Sequence, residues 1–125
     1  MFFHKPPYYN SLSRANEYLH TAYQPVLDRY AVDLVFNGHD HVVARTFPMY
    51  QGKSVKDGAK GTIYYIAGRS GSKIYRLNMR KDWDAFFYNP TDEPDYVVVE
   101  VGSRRLTVKS VKQDGTSVDS VSLNK

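Results

Sequence analysis

The strongest constraint on the fold is a short apolar run that follows a helical stretch. Val32 to Phe36 is almost wholly apolar and ends at Asn37-Gly38. It is too short for a helix and reads as a strand buried on both faces. Upstream, Ala15, Leu19, Ala22, Tyr23, Val26, Leu27 and Tyr30 recur at three- and four-residue steps. That spacing predicts one helical face from about Ser13 to Tyr30, with Ser11 and Ser13 as candidate N-caps. Pro25 falls inside it and is expected to kink the helix or split it in two. Residues 2–4 read as the end of an earlier buried strand, stopped by Pro6-Pro7 because proline cannot donate to a sheet ladder. Tyr8 to Ser13 reads as a loop. Strand, helix and strand in that order predict a parallel crossover.

The later chain carries strand signals of a second kind. Val42 to Tyr50 reads as a strand and Gln51 to Lys60, with Gly52 and Gly58, as a polar loop. Gly61 to Gly68 is β-branched and aromatic between glycines, a strong strand pattern. Arg69 to Tyr75 is a Gly/Ser loop, and Lys81 to Asp95 reads as irregular. Tyr96–Val101, Arg104–Val111 and Ser117–Leu123 form an antiparallel meander, with turns at Gly102-Ser103 and Asp114-Gly115.

Composition narrows the function classes. The 125 residues amount to about one domain, 42% hydrophobic and 24% charged, which suits a globular chain. There is no cysteine, which excludes disulfide scaffolds, thiolate zinc sites and cysteine nucleophiles. The net charge of +4 is scattered, without the basic stripe that nucleic-acid binding requires. No stretch reaches the ~18–20 apolar residues of a transmembrane helix, so no membrane partner is expected. The N terminus shows none of the basic start, apolar run and cleavage site of a leader peptide. It reads as a strand in progress, and the expectation is a chain entered mid-domain.

The chemistry concentrates in the histidines. There are four, and His4, His39 and His41 each follow a predicted buried strand. Sites in open α/β sheets form at the carboxyl ends of strands, so these three can meet in one crevice. Neutral imidazole is a good ligand for zinc, iron and similar ions. Gly38 permits the sharp turn that aims the side chains after it. Two ordinary alternatives stand beside this: His-x-His also occurs on plain surfaces, and His20 reads as a partly exposed helix residue.

Phe3-His4-Lys5-Pro6-Pro7-Tyr8 resembles the His-x-Pro segment of the calcineurin-like metallophosphoesterases, specifically the purple acid phosphatase-like branch. Val32-Asp33-Leu34-Val35-Phe36-Asn37-Gly38-His39-Asp40-His41 resembles that family's Val-Asp-Leu-Val-x-x-Gly-His-x-His segment. Pro25 to Tyr30, Gly61 to Tyr75 and the closing meander are also similar. The resemblance covers essentially the whole chain but only the C-terminal part of the family's domain. It implies an α/β (α+β) fold: the C-terminal part of a β-sandwich with an αβ crossover and a terminal antiparallel meander. Residues 1–125 would form one such portion, with 1–80 as the strand-helix-strand ligand region, 81–95 irregular and 96–125 the meander. It further implies a phosphate-ester hydrolase whose two ions clamp a phosphoryl oxygen and convert water into a nucleophile. His4 and His39 would ligate one ion and His41 the other. The ions would be divalent or trivalent, with iron, zinc and manganese as the alternatives. Members of this branch are often exported, which would make the parent protein secreted or cell-surface.

The departures are equally specific. The family's Asp-x-His, Gly-Asp and Gly-Asn-His segments are absent from this chain, and with them the bridging carboxylate. Where many members carry Tyr-Glu-Arg after the histidine turn, this chain has Val43-Ala44-Arg45. The loop that offers a general-acid histidine in plant members here offers Asn10, Ser11 and Arg14, with His20 further on. Asn10 and His20 are therefore weak catalytic candidates, and no proton donor is assigned. Asp40 reads either as a partner orienting an imidazole or as a turn cap. Arg14 and Arg69 read as surface cations that could meet phosphate, and Tyr64, Tyr65 and Tyr75 as core. Gly68 to Lys73 fails the P-loop spacing.

The isolated chain is thus expected to be inactive, with catalysis belonging to a longer protein. The alternative is a non-catalytic β-rich interaction module retaining a relic histidine turn. A half-domain leaves a sheet edge uncovered, so self-association through that surface is expected.

Overall fold

The computed structural model describes residues 1–55 and 60–124. Its elements are α1 (Tyr18–Arg29), β1 (Leu34–Asn37), β2 (Val43–Thr46), β3 (Met49–Tyr50), β4 (Lys53–Ser54), β5 (Ile63–Ala67), β6 (Asp84–Tyr88), β7 (Asp95–Val101), β8 (Arg105–Lys112) and β9 (Ser117–Asn124). The described chain is mostly β with one helix. Residues 56–59, including Gly58 of the predicted polar loop, lie outside the described residues.

A mixed sheet of order β1-β5-β2-β6 forms the middle layer. β1 and β5 run parallel, while β2 pairs antiparallel with both β5 and β6. The N-terminal residues lie along the open side of β1, bridging Phe2 to Phe36 in parallel. The parallel crossover expected through the helix is therefore present. The β7-β8-β9 meander covers one face of this sheet and α1 with its flanking loops covers the other.

Alternation along the strands sorts residues between the two faces. Leu34, Phe36, Val43, Ile63 and Tyr65 pack toward the meander, against Val108 and the partly buried Val97, Leu106, Val118, Val121 and Leu123. Val35 and Tyr64 point the other way, onto Leu27, Tyr8 and Met49. Val35, Val43 and Val108 are completely buried, each worth about 1.5–3 kcal/mol of transfer free energy.

Several expectations need correction. The helix begins at Tyr18, not Ser13, and neither Ser11 nor Ser13 caps it. Residues 10–12 are engaged elsewhere: Ser11 bridges Asn78, Leu12 N–H donates to the Leu77 carbonyl and Met79 N–H donates to that of Asn10. Pro25 lies within α1 without splitting it. The helix buries Leu19, Gln24 and Leu27, whereas Tyr23, Val26 and Tyr30 face outward. The strand predicted over Val42 to Tyr50 is broken at Phe47-Pro48, between β2 and β3, where Pro48 cannot donate to a ladder. β3 then pairs with β4 through a turn in which Gln51 and Gly52 both have positive φ (49° and 78°). The irregular stretch from Lys81 to Asp95 contains β6, whose aromatic residues pair with β2. Residues 2–4 do form an edge, but Phe2 is 77% exposed, so this strand is not buried.

Candidate metal centre

The sheet delivers two histidines to one point. Phe36 N–H donates to the Met1 carbonyl (2.9 Å), Phe3 N–H to that of Phe36 (3.1 Å) and Gly38 N–H to that of His4 (2.9 Å). This ladder fixes His4 beside the turn that follows β1. The His4 ring lies close to the Gly38 backbone, where a Cβ would sit in ordinary van der Waals contact, 3.4 Å from Nδ1. On the turn, His39 and His41 both adopt positive φ (72° and 56°), a conformation that L-residues with side chains rarely take.

His39 Nδ1 and His4 Nε2 are hydrogen-bonded at 3.1 Å, one ring nitrogen donating to the other, with the rings edge to face. Two nitrogens bound to one ion at about 2.0–2.1 Å, subtending 90–109°, would be about 2.9–3.4 Å apart. The separation falls in that range, and an ion bound there would replace the shared proton. His41 Nδ1 lies 2.9 Å from the Lys73 carbonyl. A carbonyl only accepts, so Nδ1 donates and the lone pair of the neutral ring is left on Nε2. This is the usual arrangement of a ligating imidazole oriented through its other nitrogen. Its ring also packs on Tyr75, 4.5 Å between centroids. Among the described residues, no group of three or more His, Cys, Asp or Glu side chains is placed to hold an ion. The donor set fits two positions on one ion and is incomplete for a binuclear centre.

Asp40 fits neither of the two readings given for it: its carboxylate binds the backbone of another loop. It is fully buried, and its Oδ2 accepts from the backbone N–H of Asn10 (2.8 Å) and Ser11 (3.3 Å). Its Oδ1 lies 3.5 Å from Arg14 Nη1. Arg14 also donates to the His39 carbonyl (2.8 Å) and covers the Tyr75 ring. Asp40 thus fastens the loop after Pro7 to the histidine turn, and Arg14 belongs to the site and is not a free surface cation. Burial, reinforced by the Arg14 charge, holds the His39 pKa below the ordinary imidazole value. Lys73 and Arg14, both set against Tyr75, lower its pKa too. The surroundings are net cationic.

The weak catalytic candidates sit elsewhere. Asn10 is completely buried and its amide donates to Asp84 Oδ2 (2.5 Å) and the Met79 carbonyl (3.1 Å). His20 contacts the Pro7 carbonyl (2.7 Å) and stacks on Tyr8. Arg69 is also corrected: it is 4% exposed, and its guanidinium donates to the carbonyls of Pro90 (2.6 Å) and Gly71. Arg45 pairs with Asp119 across the sandwich. Tyr75, expected in the core, and Asn78, which donates to the Asp40 carbonyl (2.9 Å), also belong to the site. Both lie in a loop without periodicity, so no local signal marked them.

The comparisons bear on the fold. No protein-family model matches the chain. Over 98% of its length the chain matches the purple acid phosphatase PPD1 from yellow lupin (Lupinus luteus), with a TM-score of 0.71 and 22% identity. The fold is that of a portion of a purple acid phosphatase. The match covers 24% of the lupin chain. A second structure, GAP50, described as the anchor in the inner membrane complex of Plasmodium, matches 95% of this chain and 34% of its own, with a TM-score of 0.72 and 24% identity. In sequence, a probable inactive purple acid phosphatase 27 of Arabidopsis thaliana is 37% identical over 71 residues, half of this chain and 12% of that protein. This purple acid phosphatase-like chain therefore spans a minor part of each relative.

Proposed function

We propose that this chain is part of a purple acid phosphatase-like metallophosphoesterase acting on phosphate esters. In this reading His4 and His39 ligate one ion and His41 a neighbouring one. The supporting observation is the 3.1 Å approach of His4 Nε2 to His39 Nδ1, spacing that suits a shared ion. When bound, adjacent ions supply charge for a phosphoryl oxygen and an acidified water. The protein's own contributions are positional. Asp40 and Arg14 hold the turn, and the Lys73 carbonyl sets the His41 tautomer. Cationic side chains at Arg14 and Lys73 favour an anionic substrate. The remaining ligands would come from polypeptide beyond these residues, so the chain alone has no turnover. The test compares metal content and p-nitrophenyl phosphate hydrolysis of the chain with those of a version extended at its N terminus. Metal-dependent turnover by the chain alone contradicts the incomplete ligand set. A metal-free, inactive extended protein contradicts the phosphoesterase assignment.

One observation favours a second, non-catalytic reading. β7 is an edge strand with Tyr96, Val98, Val99 and Val101 exposed, a surface suited to strand pairing. Relatives of this fold include one named inactive and one described as an anchor. In this reading the chain associates with a second copy through that edge. Light scattering would then give a concentration-dependent mass that Val99→Lys abolishes. A strict monomer at high concentration counts against it.

A further inference from the structure

We infer that Asp84 and Asn10 form a buried acid–amide pair that takes up a proton and clasps the loop behind the histidine turn. Asp84 opens β6 and is 2% exposed, and Asn10 is completely buried. The Asn10 amide nitrogen donates to Asp84 Oδ2 at 2.5 Å, and Lys81 N–H donates to the same oxygen at 2.8 Å. The other oxygens, Asp84 Oδ1 and Asn10 Oδ1, are both buried and have no hydrogen-bond partner. Two adjoining side chains therefore each carry an orphaned acceptor. Buried acceptors without donors cost free energy. A proton on Asp84 Oδ1 turns one of these two acceptors into a donor, while the amide N–H keeps its bond to Oδ2. The proton comes from solvent, and no other bond changes.

The charges around Asp84 do not compensate for its ionisation. Arg80 donates to the Asp84 backbone carbonyl (3.1 Å), not to its carboxylate. Lys81 contributes its backbone N–H to that carboxylate and its charge only at range. From the histidine turn, the group that reaches Asn10 is another acid, Asp40, which accepts from its backbone N–H. Burial outweighs these neighbours and raises the Asp84 pKa to about 6. A carboxyl whose folded-state pKa exceeds its unfolded value (about 3.9) stabilises the fold fully below the lower value. That stabilisation is lost as pH rises through the upper one. The clasp is thus set at acidic pH and loosens toward neutrality. It acts on the segment whose backbone holds Asp40.

The test has two parts, both on the full chain. Denaturant unfolding from pH 4 to 8 should show the folding constant falling about tenfold per pH unit from roughly 4 to 6. Asp84→Asn, which supplies a neutral donor and acceptor of the same shape, should flatten that interval and match or exceed the wild-type stability at pH 7. An independent ¹³C NMR titration of the wild-type carboxyls, needing no variant, should show one buried aspartate with a midpoint near 6. All aspartates titrating below about 4.5, or an Asp84→Asn protein that folds but keeps the wild-type slope, would overturn the inference.

Discussion

The guanidinium of Arg45 on β2 grips the carboxylate of Asp119 on β9 at two points, Nε to Oδ2 at 2.9 Å and Nη2 to Oδ1 at 3.1 Å. This is a fork-to-fork pair between the two sheets, with both side chains largely shielded from solvent (18% and 6% exposed). Removing one partner strands the other. Asp119→Ala should therefore cost about 3–5 kcal/mol in denaturant unfolding. The double variant Arg45→Met, Asp119→Leu should cost less than either single change, which a double-mutant cycle would measure.

Gly68 offers a sharper steric test. Its φ is +77°, and a Cβ there would lie 1.8 Å from Asp95 Oδ2. Asp95 cannot yield easily, because it accepts from Arg69 N–H (3.0 Å) and the Ser110 hydroxyl (3.3 Å). Gly68→Ala should destabilise by roughly 4 kcal/mol or more. Gly115→Ala, at φ +92° with nothing within 4 Å, should cost only about 1 kcal/mol of backbone strain. Equal losses in thermal unfolding would contradict this account.

The paired imidazoles predict a graded response to metal. Isothermal titration with Zn²⁺ or Co²⁺ should give weak, single-ion binding to the chain. His4→Ala and His39→Ala should each reduce it at least tenfold, since each removes one of two nitrogens set 3.1 Å apart. His41→Ala should have the smaller effect, because in the proposed arrangement that ring serves the neighbouring ion and not the one that His4 and His39 share. Equal losses for all three would place His41 on the same ion.

Asp40 predicts coupling between loop and turn. Asp40→Ala leaves two backbone donors without their acceptor and Arg14 without its carboxylate, a loss of about 2–4 kcal/mol. Amide hydrogen exchange should rise at Asn10 and Ser11 before it rises in β8. Uniform acceleration across the chain would mean that Asp40 serves global stability alone.

Much of the framework was legible because it is periodic. Val32 to Phe36 announced β1, and the last three strands followed from β-branched runs between turn residues. The interruptions were harder to read. β6 hides among Asp, Pro and aromatic residues, and is a strand because Phe86 and Phe87 can pair with β2. The helix starts late because residues 10–12 find partners at 77–79, a tertiary choice that no local cap signal reveals. The histidine pair was visible as strand-end chemistry. The Asn10–Asp84 contact was not, since it joins residues 74 apart in the chain. Arg69 looked like an exposed cation because its acceptors are carbonyls, which have no sequence signature.

The left-handed backbone at His39 and His41 carries a further consequence. Such conformations cost about 1–2 kcal/mol for a residue with a Cβ, which glycine would not incur. Neither ring repays that cost by filling the core. A turn built only to reverse direction would tolerate Asn-Gly at these places and gain robustness. Bulky heterocycles here mean that the loop sacrifices some resilience to keep its nitrogens in place.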